Sequence, residues 1–265
     1  MRVASLYLPP LSILQELGIT EPEDLHIEAI AQYCGATVVY EPLKGCEARL
    51  IGYGDRAIIT VNTNSSLPRQ RFSAGHELGH WMRDRGKIAF VCAASTFALE
   101  WSDDNPERRA NRYAADLLLP EFMFHPLAKD KYITFATVDQ LAGRFRTSST
   151  ATAIRLVEQG SFPAMIICNQ PGRRRWFLRG PAVPDELWPV IEPGRDTVAY
   201  DLLRTAAAAP GPVDVVAAGW IDHPDAHRYQ VREDSIRVPP NLVLTLLWWK
   251  DERQILELDD EDDDL

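Results

Sequence analysis

His76 and His80 stand four residues apart in the run His76-Glu77-Leu78-Gly79-His80. On an α-helix, positions i and i+4 share one face. Both imidazoles can then aim a ring nitrogen at one metal ion. Glu77 is turned by about 100° from His76. That is too far round to join the histidines as a ligand, but it can reach a water on the metal. Zn²⁺ lowers the pKa of such a water to about 7 and polarises a carbonyl. A carboxylate beside it takes the water's proton and delivers it to the leaving amine. The spacing therefore reads as a peptide hydrolase, against the plainer alternative of a helix with two surface histidines. An intact Glu77 favours chemistry, because a structural metal site has no use for a general base. Two imidazoles and a carboxylate suit zinc, with manganese as the second choice.

A catalytic zinc takes three protein ligands and keeps one position open. A third histidine six residues beyond His80 is absent, since Gly86 holds that place. The nearest downstream candidates are Glu107, Asp116, Glu121 and His125. Glu107 begins an expected helix, and Asn111 follows one turn later on the same face. A ligand carboxylate with such a hydrogen-bonding neighbour is a common arrangement around metals. Asp104-Asn105-Pro106-Glu107 also reads as a capping box, which would make Glu107 only an acidic first-turn residue. The residues by themselves leave both readings open.

The helix that carries the histidines is expected over Pro68 to Arg83, with proline in its first turn and Gly86 beyond its end. Phe72, Leu78, Trp81 and Met82 can bury its other faces. Gly75 and Gly79 each cost roughly 1 kcal/mol in a helix interior, which implies that something packs closely against the backbone there. A second helix is expected from about Asp104 to just before Pro120. Its Ala110, Ala114 and Ala115 would permit a close approach. Upstream, Pro22 to Tyr33 reads as a short helix. Thr37 to Tyr40 and Ala57 to Val61 read as strands, the second a candidate edge strand for binding an extended substrate. Thr137 to Gly160 reads as two short helices with a turn at Ser148-Ser149. Beyond Gly160 the pattern becomes strand-rich: Ala164–Cys168, Trp176–Leu178, Val213–Trp220, His227–Val231 and Leu242–Trp249, with one helix over Thr197–Ala209. Arg173-Arg174-Arg175 reads as a solvated hairpin turn. His223 and His227 are no second metal site, because Pro224 interrupts any helix between them.

Three stretches resemble the ImmA/IrrE family of metallopeptidases. Arg69 to His80 is similar to that family's RxRFxxAHELGH segment, with Gly75 in place of an alanine. Glu107 to Pro120 is similar to its ExxANxFAAxLLMP segment, with Tyr113 and Leu119 as mild changes. Leu141 to Leu156 resembles its helix-turn-helix-like stretch. The resemblance implies an α+β fold, with a zincin-like metallopeptidase domain over 1–125 and a helix-turn-helix-like segment over 126–160. A smaller α+β domain with an antiparallel sheet would follow over 161–258. It implies His76, His80 and Glu107 as metal ligands, Glu77 as general base and Asn111 behind them. It further implies a site-specific endopeptidase that cuts a helix-turn-helix repressor in a stress-response, mobile-element or toxin–antitoxin-like switch. The region after residue 160 stands where some members carry a GAF-like sensor, though no motif marks one here. The competing readings are a non-enzymatic helix-turn-helix regulator or an antitoxin-like binding protein, with the metal serving structure.

Bulk properties narrow the setting. The 265 residues are 46% hydrophobic and 25% charged, an ordinary globular balance. The net charge is −10, and Asp259 to Asp264 supply six of those negative charges. Such a run reads as a solvated, disordered tail over 259–265. A globally acidic chain is a poor non-specific binder of nucleic acid. Arg144, Arg146 and Arg155 of the helical pair stand among acidic or neutral neighbours, so repressor docking is favoured over direct DNA binding. Cys34, Cys46, Cys92 and Cys168 form no paired spacing that would hold zinc. The apolar run Val243–Trp249 is far short of the roughly 20 residues of a membrane helix. The expectation is a cytoplasmic protein with reduced thiols.

Overall fold

A computed structural model describes residues 7–84, 105–251 and 253–255. Gly86, Cys92, Asp104 and the acidic run from Asp259 lie outside the described residues, together with the expectations placed on them. The chain is a mixed α+β protein divided into two compact units, one of residues 1–124 with 142–148, the other of 125–141 with 149–265.

In the first unit, α1 (Pro10–Glu16) and α2 (Ile27–Tyr33) precede three strands, β1 (Ala36–Glu41), β2 (Ala48–Tyr53) and β3 (Arg56–Asn62). Two longer helices follow, α3 (Leu67–Asp84) and α4 (Pro106–Leu118). The sheet order is β1-β3-β2, with β1 parallel and β2 antiparallel to β3. This corrects one expectation: the strand carrying Ala57 to Val61 is central, and β1 and β2 hold the edges. The inward residues Ile59 and Val61 are fully buried with Leu78, Met82 and Ala114 of the two long helices. Trp81 anchors α3 from beneath, donating its indole N–H to the Cys34 carbonyl at 2.9 Å. Its ring lies against Gly52, where an added Cβ would sit 2.8 Å from ring carbon. Only glycine fits β2 at that point.

The helices α5 (Glu121–Ala128) and α6 (Phe135–Phe145) contribute residues to both units, while α7 (Ser149–Gln159) belongs to the second. The second unit is built on a five-stranded antiparallel sheet. Its strands are β4 (Ala164–Gln170), β5 (Arg173–Arg179), β6 (Val213–Val216), β7 (Gln230–Val238) and β8 (Leu242–Trp248), in the order β5-β4-β8-β7-β6. One face buries Met165, Ile167, Val231 and Leu247 under Trp220 and the short helix α8 (Val198–Arg204). On the other face, Asp234 accepts the Phe135 N–H at 2.7 Å and so caps the start of α6.

Several elements differ in extent from the sequence pattern. α8 stops at Arg204 instead of continuing through the alanines. There the Arg237 guanidinium donates to the Leu202 carbonyl at 3.0 Å and to the carbonyls of Thr205 and Ala207, replacing further helical bonds. β6 ends at Val216 because Ala217–Gly219 turns the chain, sending Trp220 into the core. The arginine run opens β5 and does not form the turn. Gly172, at φ +79°, makes that turn. His223 and His227 spend Nδ1 on local backbone, accepting from Asp225 N–H at 3.2 Å and donating to the Pro224 carbonyl at 2.8 Å, respectively.

Glu233 is fully buried on β7. Its carboxylate accepts from Val198 N–H (3.1 Å), Ala199 N–H (2.7 Å), the Trp220 indole (3.1 Å) and the Ser235 hydroxyl (2.7 Å). One side chain thus caps α8 and ties it to the sheet. Glu233→Ala leaves these buried donors unmet and should cost about 3 kcal/mol or more. Urea unfolding followed by tryptophan fluorescence reads this directly. A loss under about 1 kcal/mol, the size of an ordinary cap, would remove Glu233 from that role.

Candidate metal centre

α3 turns its buried side to the sheet and to α4, and presents His76 and His80 one turn apart. Small residues explain why α4 can come so close. A Cβ on Gly75 would lie 3.3 Å from the Ala114 Cβ, and one on Gly79 would lie 3.0 Å from the Tyr113 Cβ and 3.2 Å from the Ala110 Cα. The close packing that the two glycines implied is therefore the α3–α4 crossing itself.

That crossing brings the first turn of α4 over the histidines. Glu107 Oε2 lies 3.2 Å from His76 Nε2, and Glu107 Oε1 lies 3.3 Å from His80 Nε2. The two Nε2 atoms are 3.1 Å apart. Tetrahedral ligands held about 2.1 Å from one zinc ion lie roughly 3.4 Å apart, so the three donors fit a single ion of that kind. Among the described residues, His76, His80 and Glu107 form the one cluster of this type.

The helix cap belongs to a different residue. Asn105 is the N-cap of α4, its Oδ1 accepting the Glu107 N–H at 2.9 Å, and Pro106 takes the next position. Glu107 then falls one place short of the capping-box position, and its carboxylate turns to the histidines. Within the Asp104-Asn105-Pro106-Glu107 run, Asn105 is thus the capping residue. An asparagine directly before a proline at a helix start was the available signal.

Asn111 stands one turn along α4, and its Oδ1 lies 2.8 Å from His76 Nδ1. An amide oxygen accepts only, so Nδ1 carries the proton and donates. The lone pair is thereby left on Nε2, facing His80 and Glu107, as a metal ligand requires. Burial pushes the His76 imidazole below its usual range, against the pull of Glu107 and Asn111. The neutral form that binds metal is favoured. Glu77 is 1% exposed and adjoins His76 on α3. The other candidates lie elsewhere. Asp116 pairs with Arg112 at 3.5 Å, Glu121 opens α5, and His125 Nδ1 donates to the Gln159 carbonyl at 3.2 Å.

Comparison with known proteins places this site in context. Residues 31–157 match the family model of the IrrE N-terminal-like domain, Peptidase_M78. No curated protein matches the sequence. Among solved structures, the chain is similar to a Mycobacterium tuberculosis transcriptional regulator at 15% identity, over 89% of this chain and 73% of that chain, with a TM-score of 0.56. At that identity the likeness is one of fold. No described helix is long and apolar enough to cross a membrane.

Proposed function

On the footing that residues 31–157 carry an IrrE N-terminal-like domain of the peptidase M78 family, we propose that this chain is a zinc-dependent, site-specific endopeptidase whose substrate is a helix-turn-helix repressor. The single observation that carries the reading is the convergence of His76, His80 and Glu107 on one point, with Glu77 next to His76 on the same helix and 1% exposed. Zn²⁺ held there, with Mn²⁺ as the alternative, supplies Lewis acidity and an activated water. His76 and His80 provide neutral nitrogens, and Asn111 fixes the tautomer of the first. Glu77 receives the proton of the attacking water and returns it to the departing amine. β2, an edge strand among the described residues, offers backbone groups for an extended substrate.

The choice of a protein over DNA as partner rests on the arginines of the helical pair. Arg144 is spent on Glu23 (3.0 Å) and Glu21 (3.4 Å), Arg146 on the Glu23 carbonyl (2.9 Å), and Arg155 is 4% exposed beside Glu158. Phosphate contacts need cations that are free to reach out. The setting is cytoplasmic, and residues 161–258 are a regulatory or substrate-selecting domain, standing where some relatives carry a GAF-like sensor. A non-enzymatic transcription regulator is the second reading, favoured by what the similar Mycobacterium tuberculosis protein is called.

One experiment separates the two. The zinc-loaded protein is mixed with helix-turn-helix repressors from the same genome, those of adjacent genes first, and the products are resolved by mass spectrometry. The expected result is one discrete cleavage, abolished by a chelator. An intact repressor, with operator DNA bound by this chain instead, would support the regulator reading.

A further inference from the structure

Away from the metal centre, the second unit holds a cleft that nothing in the peptidase reading uses. It lies at the β6–β7–β8 side of the five-stranded sheet. A cross-strand row runs Asp214↔Arg232↔Trp248 over β6, β7 and β8. The cleft has a volume of about 720 Å³, with Phe162, Arg232, Trp248, Lys250 and Arg253 in its walls. A recess of about 220 Å³ adjoins it past Trp248 and Tyr132. Such volumes admit a small organic molecule.

The walls have two chemistries. One is aromatic: Trp248 stacks on Tyr132 with centroids 5.0 Å apart, and Phe162 leans on Trp248 at 5.2 Å. Trp248 is 3% exposed, yet its indole N–H finds no acceptor. Phe162, half-buried, and the edge of Trp248 are the apolar surface that lines the cleft. The other chemistry is charge. Arg232 is paired with Asp214 at 2.7 Å, and Arg253 with Asp251 at 2.7 Å. Among the described residues lining the cleft, Lys250 makes no ion pair and is the one positive charge beyond these two pairs.

We propose that this cleft binds a small planar anion, its ring against the Phe162–Trp248 wall and its carboxylate or phosphate on Lys250, within reach of Arg232. Cations set beside aromatic faces favour a ligand that combines a flat apolar body with a negative group. A ring alone leaves Lys250 unanswered, and an inorganic anion alone leaves the wall wet.

Calorimetric titration of the full-length protein tests this. The probes are indole-3-acetate for a carboxylate and adenosine 5′-monophosphate for a phosphate monoester. Their halves, indole with acetate and adenosine with inorganic phosphate, serve as controls. At least one ring-bearing anion should bind saturably, about tenfold or more tighter than either of its halves. Which one binds identifies the acidic group. Lys250→Ala should weaken that binding by about tenfold, and Lys250→Arg should restore it. Absence of binding by both anions at millimolar concentration overturns the proposal. So does equal binding by the halves, or unchanged affinity in Lys250→Ala. Lys250 is exposed, so its variants should leave the fold intact and remain informative.

Discussion

Glu77→Gln is expected to abolish cleavage while leaving both the metal and the fold in place. The substitution keeps the shape of a side chain that is 1% exposed on α3, so its packing is preserved. What it removes is basicity: an amide cannot take a proton from water. General-base catalysis contributes about 10²- to 10⁴-fold, and turnover should fall by at least that much. Metal content and melting temperature should stay near those of the parent, because Glu77 donates no ligand atom. The decisive comparison is repressor cleavage against time at matched metal loading. Unchanged cleavage by Glu77→Gln would take Glu77 out of the mechanism.

Glu107→Ala has the second large effect, and here two readings predict different measurements. Removing a metal ligand should weaken zinc binding by orders of magnitude, because the ion keeps only the two imidazoles. Removing an acidic first-turn residue should cost about 1 kcal/mol of stability or less and leave affinity alone. The structure favours the first outcome. Asn105 already caps α4, and the Glu107 oxygens stand 3.2 and 3.3 Å from the histidine nitrogens. Zinc affinity by competition with a chromophoric chelator, taken with the melting temperature of the metal-free protein, resolves the two. Asn105→Ala is the matching control, expected to lower stability by about 1 kcal/mol with affinity retained.

The parts of the site that could be read in the sequence are those fixed by local geometry. His76 and His80 share a face because of helical pitch, and the same pitch puts Asn111 one turn beyond Glu107. Glycines and alanines announced a close helix crossing, and Gly75 and Gly79 do meet Ala114, Tyr113 and Ala110. The meeting of Glu107 with the histidines depends on two helices far apart in the chain, so residue patterns alone could not choose between ligand and cap. Strand order is similarly non-local. Nothing within Arg56–Asn62 says that β2 will pair on its free side, and β2 itself is obscured by Gly52, whose role is to make room for Trp81. α5 was hidden by Pro126 inside it. The overlong readings of α8 and β6 failed for tertiary reasons. Arg237 takes the carbonyls beyond α8, and the buried Glu233 draws the Trp220 indole toward it.

The most direct test of the central claim is the metal content of the purified protein, with and without His80. Elemental analysis after reconstitution and desalting should give about one zinc or manganese ion per chain. His80→Ala removes a ligand whose side chain is 3% exposed, and should drop the content toward zero without loss of the α3–α4 packing. A wild-type protein that retains neither metal after reconstitution, or a His80→Ala variant that still holds one ion with undiminished affinity, would contradict the assignment of His76, His80 and Glu107 as a metal centre.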